Sequence, residues 1–414
     1  MTNQKISLER DMSHASRTPA YNLLYLISLG AFFTLATIII YLVVMTGMGQ
    51  YRQLMKFIPL VSVTLVLSLV GILGITIRQA GWRVFLSAAF LLPLIISALG
   101  IGVHRTIWHP LDSRDEDIYF TFKEGERLLQ GQNPYERIFS SDMRNNKKYA
   151  TYLPMFYQLT HWTQALGLVH FARWMLFWRE IFLIFNIAIG ALLFYIPYKR
   201  GIPVLAIFAS LFWLFNRWTL TVTINSDFDF IPMFFLILGL IFFPRRLWLS
   251  GFLIGLSLSL KHFGIYLVPI LLIFVWQTSN MKQMLIYFIS IIAIPLLVSM
   301  PFLLSNWKPF ILSILFSATR NPYSSLGFDS VDAVSGWVGI PAKLPMLGLL
   351  GLIYALALRY KRCVYILSLM VMSVFVFFNS VFYLDYVMYM VPFIPLGASE
   401  ALVYWMPENP LEST

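Results

Sequence analysis

The stretch Ser113–Arg137, SRDEDIYFTFKEGERLLQGQNPYER, is the one long polar interruption in a chain that otherwise consists of apolar runs. Of the 414 residues, 59% are hydrophobic and only 12% are charged. A typical soluble domain carries about a quarter charged residues. The composition therefore excludes an ordinary soluble protein, and it predicts a membrane protein arranged around this polar stretch.

The apolar runs on either side of this stretch have the lengths of membrane-spanning helices, because a bilayer core needs about 20 apolar residues per helix. Run length and the absence of period-two alternation favour helices over barrel strands. The predicted fold is all-α, a polytopic transmembrane helical bundle of about 12 spans within one membrane domain, residues 1–414. The candidate spans are 20–46, 57–77, 83–103, 176–198, 201–218, 228–243, 247–260, 263–278, 283–304, 337–358, 363–380 and 386–405.

Charge is distributed asymmetrically between the loops. Residues 1–19 are polar and basic, which predicts a cytoplasmic N-terminal tail. The short loops on the same side are basic, whereas Arg52 and Lys56 lie in a short loop on the other side and are the exception. The acids between positions 20 and 399 all fall on the other side: Asp112, Asp115, Glu116, Asp117, Glu124, Glu126, Glu136, Asp142, Glu180, Asp227, Asp229, Asp329, Asp332 and Asp385. Both termini are therefore predicted to be cytoplasmic, and residues 104–175 and 305–336 are predicted to be long external loops.

The remaining composition signals exclude several classes of protein. A single cysteine, Cys363, rules out a disulfide framework or a thiolate metal site. The net charge of +11 is explained by basic cytoplasmic loops that face anionic lipid head groups. No nucleic acid is therefore expected as a partner. No Asn-x-Ser/Thr glycosylation site occurs, which favours a bacterial protein in a plasma membrane.

The run 247–278 decides the number of spans. A single helix of this length would exceed a bilayer core, and Lys261 and His262 interrupt it. Treating it as one span would also move Asp385 to the inner side. We therefore predict two short segments that meet near Lys261 at the outer side.

The front of Ser113–Arg137 is predicted to be an amphipathic helix. Ser113 and Glu116 have the spacing of a capping box, and Gly131 suits the residue that follows a helix. A stripe that faces either the membrane or the protein core is predicted at Ile118, Phe122, Gly125 and Leu129.

The acidic residues of this helix do not all have the same structural explanation. Asp112 and Glu116 are accounted for by the helix dipole, whereas Asp117 lies one turn inside. Asp115 and Asp117 lie about 200° apart on a helix, so only one of them can face a given site. The Asp-x-Asp spacing at Asp227-Phe-Asp229 is too short a signal to assign a nucleotide-sugar metal site.

Several segments together resemble a known superfamily. They are an acid followed by Tyr119 in the first large loop, Gly131-Gln-Asn-Pro-Tyr135, Tyr149-x-x-Tyr152-Leu-Pro-Met-Phe156, the Gly-rich run Ser250–Lys261, and Tyr386–Pro392. In order and sidedness they resemble the GT-C superfamily of integral-membrane glycosyltransferases that use polyprenyl-phosphate sugars. The likeness is greatest to bacterial polyprenyl-phosphate-mannose-dependent mannosyltransferases, and weaker to the first GPI mannosyltransferase.

The resemblance implies an inverting transfer of a sugar, mannose in the related enzymes, from a polyprenyl-phosphate donor to a lipid or glycan acceptor of the cell envelope. The implied active site is external, or periplasmic in a bacterium. No cofactor is expected, and a divalent metal is not needed by the implied mechanism but is not excluded.

Candidate site residues follow from this chemistry, which needs a carboxylate base for the acceptor hydroxyl and cations for the leaving phosphate. Asp117 is the first candidate for the base and Asp115 the second. Lys261 is the first candidate cation, because an ionisable group within an apolar run is costly. The other candidate substrate-binding residues are His262, Arg320, Tyr135, Tyr152, Asp385 and Tyr386.

Each candidate has an alternative, structural interpretation. Lys261 would then be a lysine that extends to the membrane interface, His262 its packed neighbour and Arg320 a solvated loop charge. Asp385 either orients the acceptor or caps the last span, and Arg217 could pair with Asp227. The competing function is a membrane transporter or a flippase for lipid-linked sugars, although the chain shows neither internal repeats nor charges at mid-membrane depth.

Overall fold

The computed structural model describes residues 117–136, 150–225, 227–319, 323–324, 330–337, 339, 341–360, 363–379, 381–382 and 384–405. The described residues fall into two units, Pro197–Phe208 in the first and all others in the second. The elements below therefore belong mainly to the second unit. The single membrane domain over residues 1–414 therefore stays a prediction.

The described part of the chain is almost entirely helical. The α-helices are α1 (Asp117–Leu129), α2 (Met155–Ala165), α3 (Phe171–Lys199), α4 (Pro203–Phe215), α5 (Arg217–Asn225), α6 (Phe230–Phe242), α7 (Leu247–Leu260), α8 (Val268–Thr278), α9 (Met281–Thr319), α10 (Val331–Ser335), α11 (Leu344–Arg359), α12 (Val364–Phe377) and α13 (Phe393–Trp405). Short 3₁₀ helices cover His262–Leu267, Pro341–Lys343 and Leu384–Tyr389. Two-residue strands, β1 (Tyr323–Ser324) and β2 (Val381–Phe382), pair in parallel.

Some of these helices are long and apolar enough to cross a membrane. Within the described residues there are four such segments, Phe171–Lys199, Met281–Leu315, Pro341–Arg359 and Tyr386–Val403. Shorter apolar helices accompany them, among them Phe230–Phe242 and Leu247–Leu260. Together with the composition, these helices define an integral membrane protein. The total of about 12 spans stays a prediction, because three candidate spans precede the described residues.

Helix α1 ends as the sequence predicts. Gly131 has φ +74°, and the amide groups of Gly131 and Gln132 donate to the carbonyls of Leu128 and Arg127 at 3.0 and 2.8 Å. This is the pattern of bonds that terminates a helix at a left-handed glycine. The proposed N-terminal cap, Ser113 with Glu116, lies outside the described residues.

The predicted stripe of α1 is buried at three of its four positions. Ile118 and Phe122 are 0% and 2% exposed, and Gly125 is buried as well. Leu129, in the last turn, is 45% exposed and lies beyond the part of the stripe that faces the core. Glu124 on the neighbouring face is buried and lies 3.8 Å from Arg127.

Helices α1 and α2 pack closely because a glycine faces the second helix. A methyl group added at Gly125 would come within 2.4 Å of the side chain of Thr160. One turn further along α2, Nε2 of Gln164 donates to the carbonyl of Phe122 at 2.9 Å. The first long loop of the sequence therefore contains a packed helical pair.

The run 247–278 forms two helices, as predicted. Helix α7 ends at Leu260, and Lys261 has extended backbone angles of φ −151° and ψ 123°. A 3₁₀ turn follows, and α8 begins at Val268. The polar residue Lys261 therefore lies at the break between the two helices.

The two helices on either side of this break run in opposite directions. Helix α8 is joined to α9 by two residues, so these two are antiparallel. Helix α7 is roughly parallel to α9, since Gly251 lies against Tyr287 and Ser290 while Gly255, further along, lies against Ile291. The chain therefore reverses between α7 and α8, as the interpretation of 247–278 requires.

The long helix α9 is bent at one residue. Asn306 has non-helical angles of φ −158° and ψ 91°. Pro309 follows three residues later, and a proline removes one helical hydrogen bond and clashes with the carbonyl four residues before it. The bend falls next to residue 305, where the sequence predicts that the second long loop begins. The first part of this predicted loop is helical, up to Thr319.

Candidate active site

The ammonium group of Lys261 is buried and paired with a carboxylate. Nζ donates to Oδ1 of Asp229, and the hydroxyl of Tyr389 donates to the same oxygen at 2.6 Å. Lys261 and Asp229 are 8% and 4% exposed. A buried charge is tolerated only when it is paired and hydrogen-bonded. These contacts therefore fix the position of the Lys261 ammonium group.

Four aromatic rings surround this ammonium group. Nζ lies 5.1 Å from the ring centroids of Tyr152 and Phe228, 5.6 Å from that of Tyr389 and 5.8 Å from that of Tyr386. All four distances fall within the range in which a cation is attracted to an aromatic face. We call Asp229, Lys261, Tyr152, Phe228, Tyr386 and Tyr389 together the Lys261 cluster.

The pairing of α6 with α7 explains why the two charged residues meet. The helices are antiparallel, because Gly239 lies against Ile254 while Oγ of Ser257 donates to the carbonyl of Pro232 at 2.7 Å. Asp229 directly precedes α6, and Lys261 directly follows α7. Both residues therefore lie at the same end of the helix pair.

Two further segments complete the cluster. The 3₁₀ helix Leu384–Tyr389 supplies Tyr386 and Tyr389, and the ring of Tyr389 stacks on Phe263 with centroids 4.4 Å apart. The segment before α2 supplies Tyr152, whose ring meets that of Phe228 edge-on at 5.4 Å. Phe156 stacks on the same Phe228 at 4.3 Å. Three of the motifs that carry the family resemblance therefore converge on Lys261.

Tyr135 lies behind Tyr152 rather than beside Lys261. It is fully buried, and its hydroxyl donates to the backbone carbonyl of Tyr152 at 2.7 Å. Burial raises the pKa of Tyr135 well above its ordinary value, with further contributions from Tyr157 and Glu124. The hydroxyl therefore keeps its proton and remains a hydrogen-bond donor.

His262 adjoins the cluster through its ring. The imidazole centroid lies 6.3 Å from that of Tyr152, and the residue is partly buried. This position agrees with either predicted role, a packed neighbour of Lys261 or a substrate contact. Its contact with substrate stays a prediction.

The remaining predicted site residues lie partly or wholly outside the described structure. Asp117 is the first residue of α1 and Asp385 belongs to the 3₁₀ helix Leu384–Tyr389, but their side chains are not among the described groups. Asp115 and Arg320 lie outside the described residues, as does the side chain of Arg217, so its pairing with Asp227 stays a prediction.

The sequence reasoning missed three members of the cluster, Asp229, Tyr389 and Phe228. Asp229 was noticed only as part of a short Asp-x-Asp pattern, and Tyr389 only as part of an aromatic segment. A usable signal existed, because an unusual lysine in an apolar run needs a carboxylate partner. The sequence offered several acids for this role, and the helix pairing selects Asp229.

The cluster offers a fixed positive charge next to aromatic surfaces. An ammonium group has three N–H donors, and among the described residues only Asp229 accepts a hydrogen bond from Nζ of Lys261. The cluster can therefore still donate to an anionic ligand such as a phosphate. Within the described part of the chain, no three His, Cys, Asp or Glu side chains converge in a way that would hold a metal ion.

Comparison with known proteins gives one partial match. The chain is similar to GPI mannosyltransferase 1 of Eremothecium gossypii, with 27% identity over 172 residues. This match covers 41% of the chain and 39% of the relative's length, so the chain spans about two fifths of the curated protein that it matches. No family model matches the chain.

Proposed function

We propose that this protein is an integral-membrane glycosyltransferase. It transfers a sugar, mannose according to the name of its relative, from a polyprenyl-phosphate donor to a lipid or glycan acceptor. The carrying observation is the Lys261 cluster, in which a buried, paired lysine is surrounded by aromatic rings from separate segments of the chain. The similarity to GPI mannosyltransferase 1 supports the same class of reaction.

Lys261 binds the phosphate of the donor in this proposal. Buried donors that are already fixed in place stabilise the charge that develops on a leaving group without reorganising during the reaction. Asp229 and the hydroxyl of Tyr389 fix the lysine at one end. The rings of Tyr152 and Tyr386 provide apolar faces beside it, where a sugar ring can lie.

The base that accepts the proton of the acceptor hydroxyl is Asp117, with Asp115 as the second candidate. Asp229 is less suited to this role, since one of its oxygens already accepts two hydrogen bonds. The reaction is inverting and needs no cofactor, as in the GT-C superfamily. His262, Arg320 and Asp385 complete the proposed substrate contacts.

The site faces the external, or periplasmic, side of a bacterial plasma membrane in this proposal, with both termini cytoplasmic and about 12 spans. The loops 104–175 and 305–336 lie on the same external side. Support comes from the meeting of Asp229 and Lys261 at one end of α6 and α7, since the charge distribution assigns that end to the outside. Reporter fusions at residues 145 and 360 test this orientation, and a cytoplasmic signal at 145 would exclude it.

A transfer assay tests the proposed function. Membranes that contain the protein are supplied with radiolabelled polyprenyl-phosphate mannose, and label in the acceptor fraction is measured for the wild type, Asp117→Asn and Asp115→Asn. Glu126→Gln is the matched control, because Glu126 lies on the same helix in a half-exposed pair with Lys123. We expect a loss of transfer in one aspartate variant and full activity in the control.

Two outcomes would contradict the proposal. Full transfer in both aspartate variants would remove the assignment of the base. Movement of the intact lipid-linked sugar across the membrane, without transfer to any acceptor, would replace the glycosyltransferase by a flippase. The first outcome affects only the catalytic acids, whereas the second affects the function as a whole.

A further inference from the structure

The side chain of Tyr135, at the end of the Gly131–Tyr135 motif, connects two parts of the structure. Gly131 ends α1, and Oδ1 of Asn133 accepts the amide hydrogen of Tyr135 at 3.0 Å. These contacts turn the chain after the helix and direct Tyr135 inward, where it is 0% exposed. The motif therefore serves to place this one ring.

The hydroxyl of Tyr135 meets the backbone of Tyr152, a member of the Lys261 cluster. It donates to the carbonyl of Tyr152 at 2.7 Å, while the amide of Tyr152 donates to the hydroxyl of Tyr157 at 3.4 Å. The rings of Tyr135 and Tyr157 contact each other with centroids 6.2 Å apart. Two tyrosines thus hold the backbone of Tyr152, while the ring of Tyr152 lies next to the ammonium group of Lys261.

The other side of the Tyr135 ring packs on the bend of α9. Phe302 and Phe310 lie on either side of Asn306, and their centroids are 5.2 and 4.7 Å from that of Tyr135. The rings of Phe302 and Phe310 also stack on each other at 6.4 Å. Tyr135 is therefore fixed by a rigid apolar cluster, which is what a positioning group requires.

We propose that Tyr135 is a positioning residue that holds the ring of Tyr152 against the ammonium group of Lys261 and does not itself contact the substrate. Its hydroxyl donates to the backbone carbonyl of Tyr152, and its ring is enclosed by Tyr157, Phe302 and Phe310. That this positioning serves a transfer reaction rests on the proposed function. The contact between Tyr135 and the Lys261 cluster does not rest on the proposed function, because it is seen in the structure itself.

The test is the rate at which Lys261 is acylated in the purified, detergent-solubilised protein. Acetic anhydride is added, and modification of each lysine is followed by mass spectrometry of the digested chain. Lys261 is buried, so its slow acylation reports how often the surrounding rings move away. The variants are Tyr135→Phe, Tyr152→Ala as the case in which one ring is removed, and Tyr287→Phe.

Tyr287→Phe is the matched control. Tyr287 is also fully buried, and its hydroxyl lies 3.1 Å from Oγ of Ser250, away from the Lys261 cluster. Lys343 serves as an internal reference in every sample, because it is bonded to Asp332 outside the cluster. General loosening of the protein would raise the acylation of both lysines.

We expect Tyr135→Phe to accelerate acylation of Lys261 about fivefold, as the loss of one hydrogen bond predicts, and Tyr152→Ala to accelerate it more. Lys343 in these variants and Lys261 in Tyr287→Phe should react as in the wild type. An unchanged rate for Lys261 in Tyr135→Phe would overturn the proposal, as would an equal increase for Lys343.

The transfer assay on the same preparations separates this inference from the proposed function. If the wild type transfers sugar, Tyr135→Phe should lower the turnover number by a similar factor and leave KM for the acceptor unchanged. If the wild type transfers nothing while the acylation of Lys261 changes as expected, the proposed function fails and the positioning of Tyr152 stands. A loss of transfer with an unchanged acylation rate would overturn the positioning role alone.

Discussion

The described residues contain two lysine–aspartate pairs, the buried pair of Lys261 with Asp229 and the partly buried pair of Lys343 with Asp332, and their surroundings differ. Lys261 is covered by four aromatic rings, and its carboxylate partner receives a second bond from Tyr389. Lys343 donates to Asp332 and also to the carbonyl of Phe378 at 2.9 Å. Among the described residues no aromatic ring lies over the ammonium group of Lys343.

This difference separates a structural ion pair from a candidate site. The carbonyl of Phe378 lies at the end of α12, where the last carbonyls of a helix lack helical partners and attract a cation. Closing this helix end accounts for Lys343. The rings around Lys261 lie over its ammonium group, and the lysine keeps donors for a ligand. The aromatic surroundings, rather than pairing with an aspartate, distinguish Lys261.

The largest effect should be common to both pairs. Asp229→Ala leaves the buried Lys261 without its partner and Asp332→Ala the partly buried Lys343, which costs about 3 to 5 kcal/mol of stability. The free energy of unfolding is measured by SDS titration in mixed micelles. Glu126→Ala, which breaks the half-exposed pair with Lys123, should cost less than about 1 kcal/mol. A small loss at either buried aspartate would show that its pair is not a fixed part of the fold.

Activity should distinguish the two lysines. Lys261→Met should lower sugar transfer by about 10² to 10³, the usual effect of removing one fixed donor from a charged transition state. Lys343→Met should lower it by less than about tenfold after correction for the amount of folded protein, because its role is to hold a helix end. The transfer assay on both variants checks this. Equal losses would remove the distinction between the pairs.

The helices that adjoin the two lysines should respond differently to the same substitution. At Gly255 in α7, a methyl group would lie 2.3 Å from the carbonyl oxygen of Ile291, whereas at Gly348 in α11 it would meet nothing within 4 Å. Gly255→Ala should destabilise the protein by about 3 kcal/mol through overpacking. Gly348→Ala should stabilise it by up to about 1 kcal/mol, since alanine favours a helix. Thermal unfolding of both variants in detergent measures whether stability falls in Gly255→Ala and rises in Gly348→Ala.

The smallest expected loss of stability follows from removing the hydroxyl of Tyr389, which donates to Asp229 in the Lys261 pair. Tyr389→Phe removes the bond to Asp229 and should cost about 1.5 kcal/mol, the lower value for a bond to a charged group. The control is Tyr354→Phe, whose hydroxyl donates to the carbonyl of Tyr266 at 2.8 Å and is expected to cost about 1 kcal/mol or less. If only Tyr389→Phe also slows transfer, the hydroxyl belongs to the site as well as to the fold.

Local features were predictable from the sequence wherever neighbouring residues decide them. The left-handed glycine at Gly131 and the buried side of α1 follow from residues a few positions apart, and the structure confirms them at Ile118, Phe122 and Gly125. The break at Lys261 was predictable because a single helix of that length does not suit a bilayer. Periodicity alone does not show where the packing partner of a helix ends, and Leu129 lies beyond that end.

The site was predictable only in part, because its members come from distant positions. Lys261, Tyr152 and Tyr386 were selected from sequence motifs, and the structure brings them together. Asp229 and Tyr389 were missed because their significance depends on pairings across 32 and 160 positions of the chain. Tyr135 was selected as a substrate contact, and its position behind Tyr152 could not be read from its motif.

Composition, run lengths and charge asymmetry were enough to determine that this is a helical membrane protein, because a bilayer requires apolar helices of limited length with their backbone groups satisfied internally. Only the tertiary structure decided which aspartate neutralises Lys261 and which rings enclose it. The antiparallel packing of α6 on α7 makes that choice by bringing Asp229 and Lys261 to one end. Such a choice depends on helix pairing in three dimensions, which residue spacing along the chain does not specify.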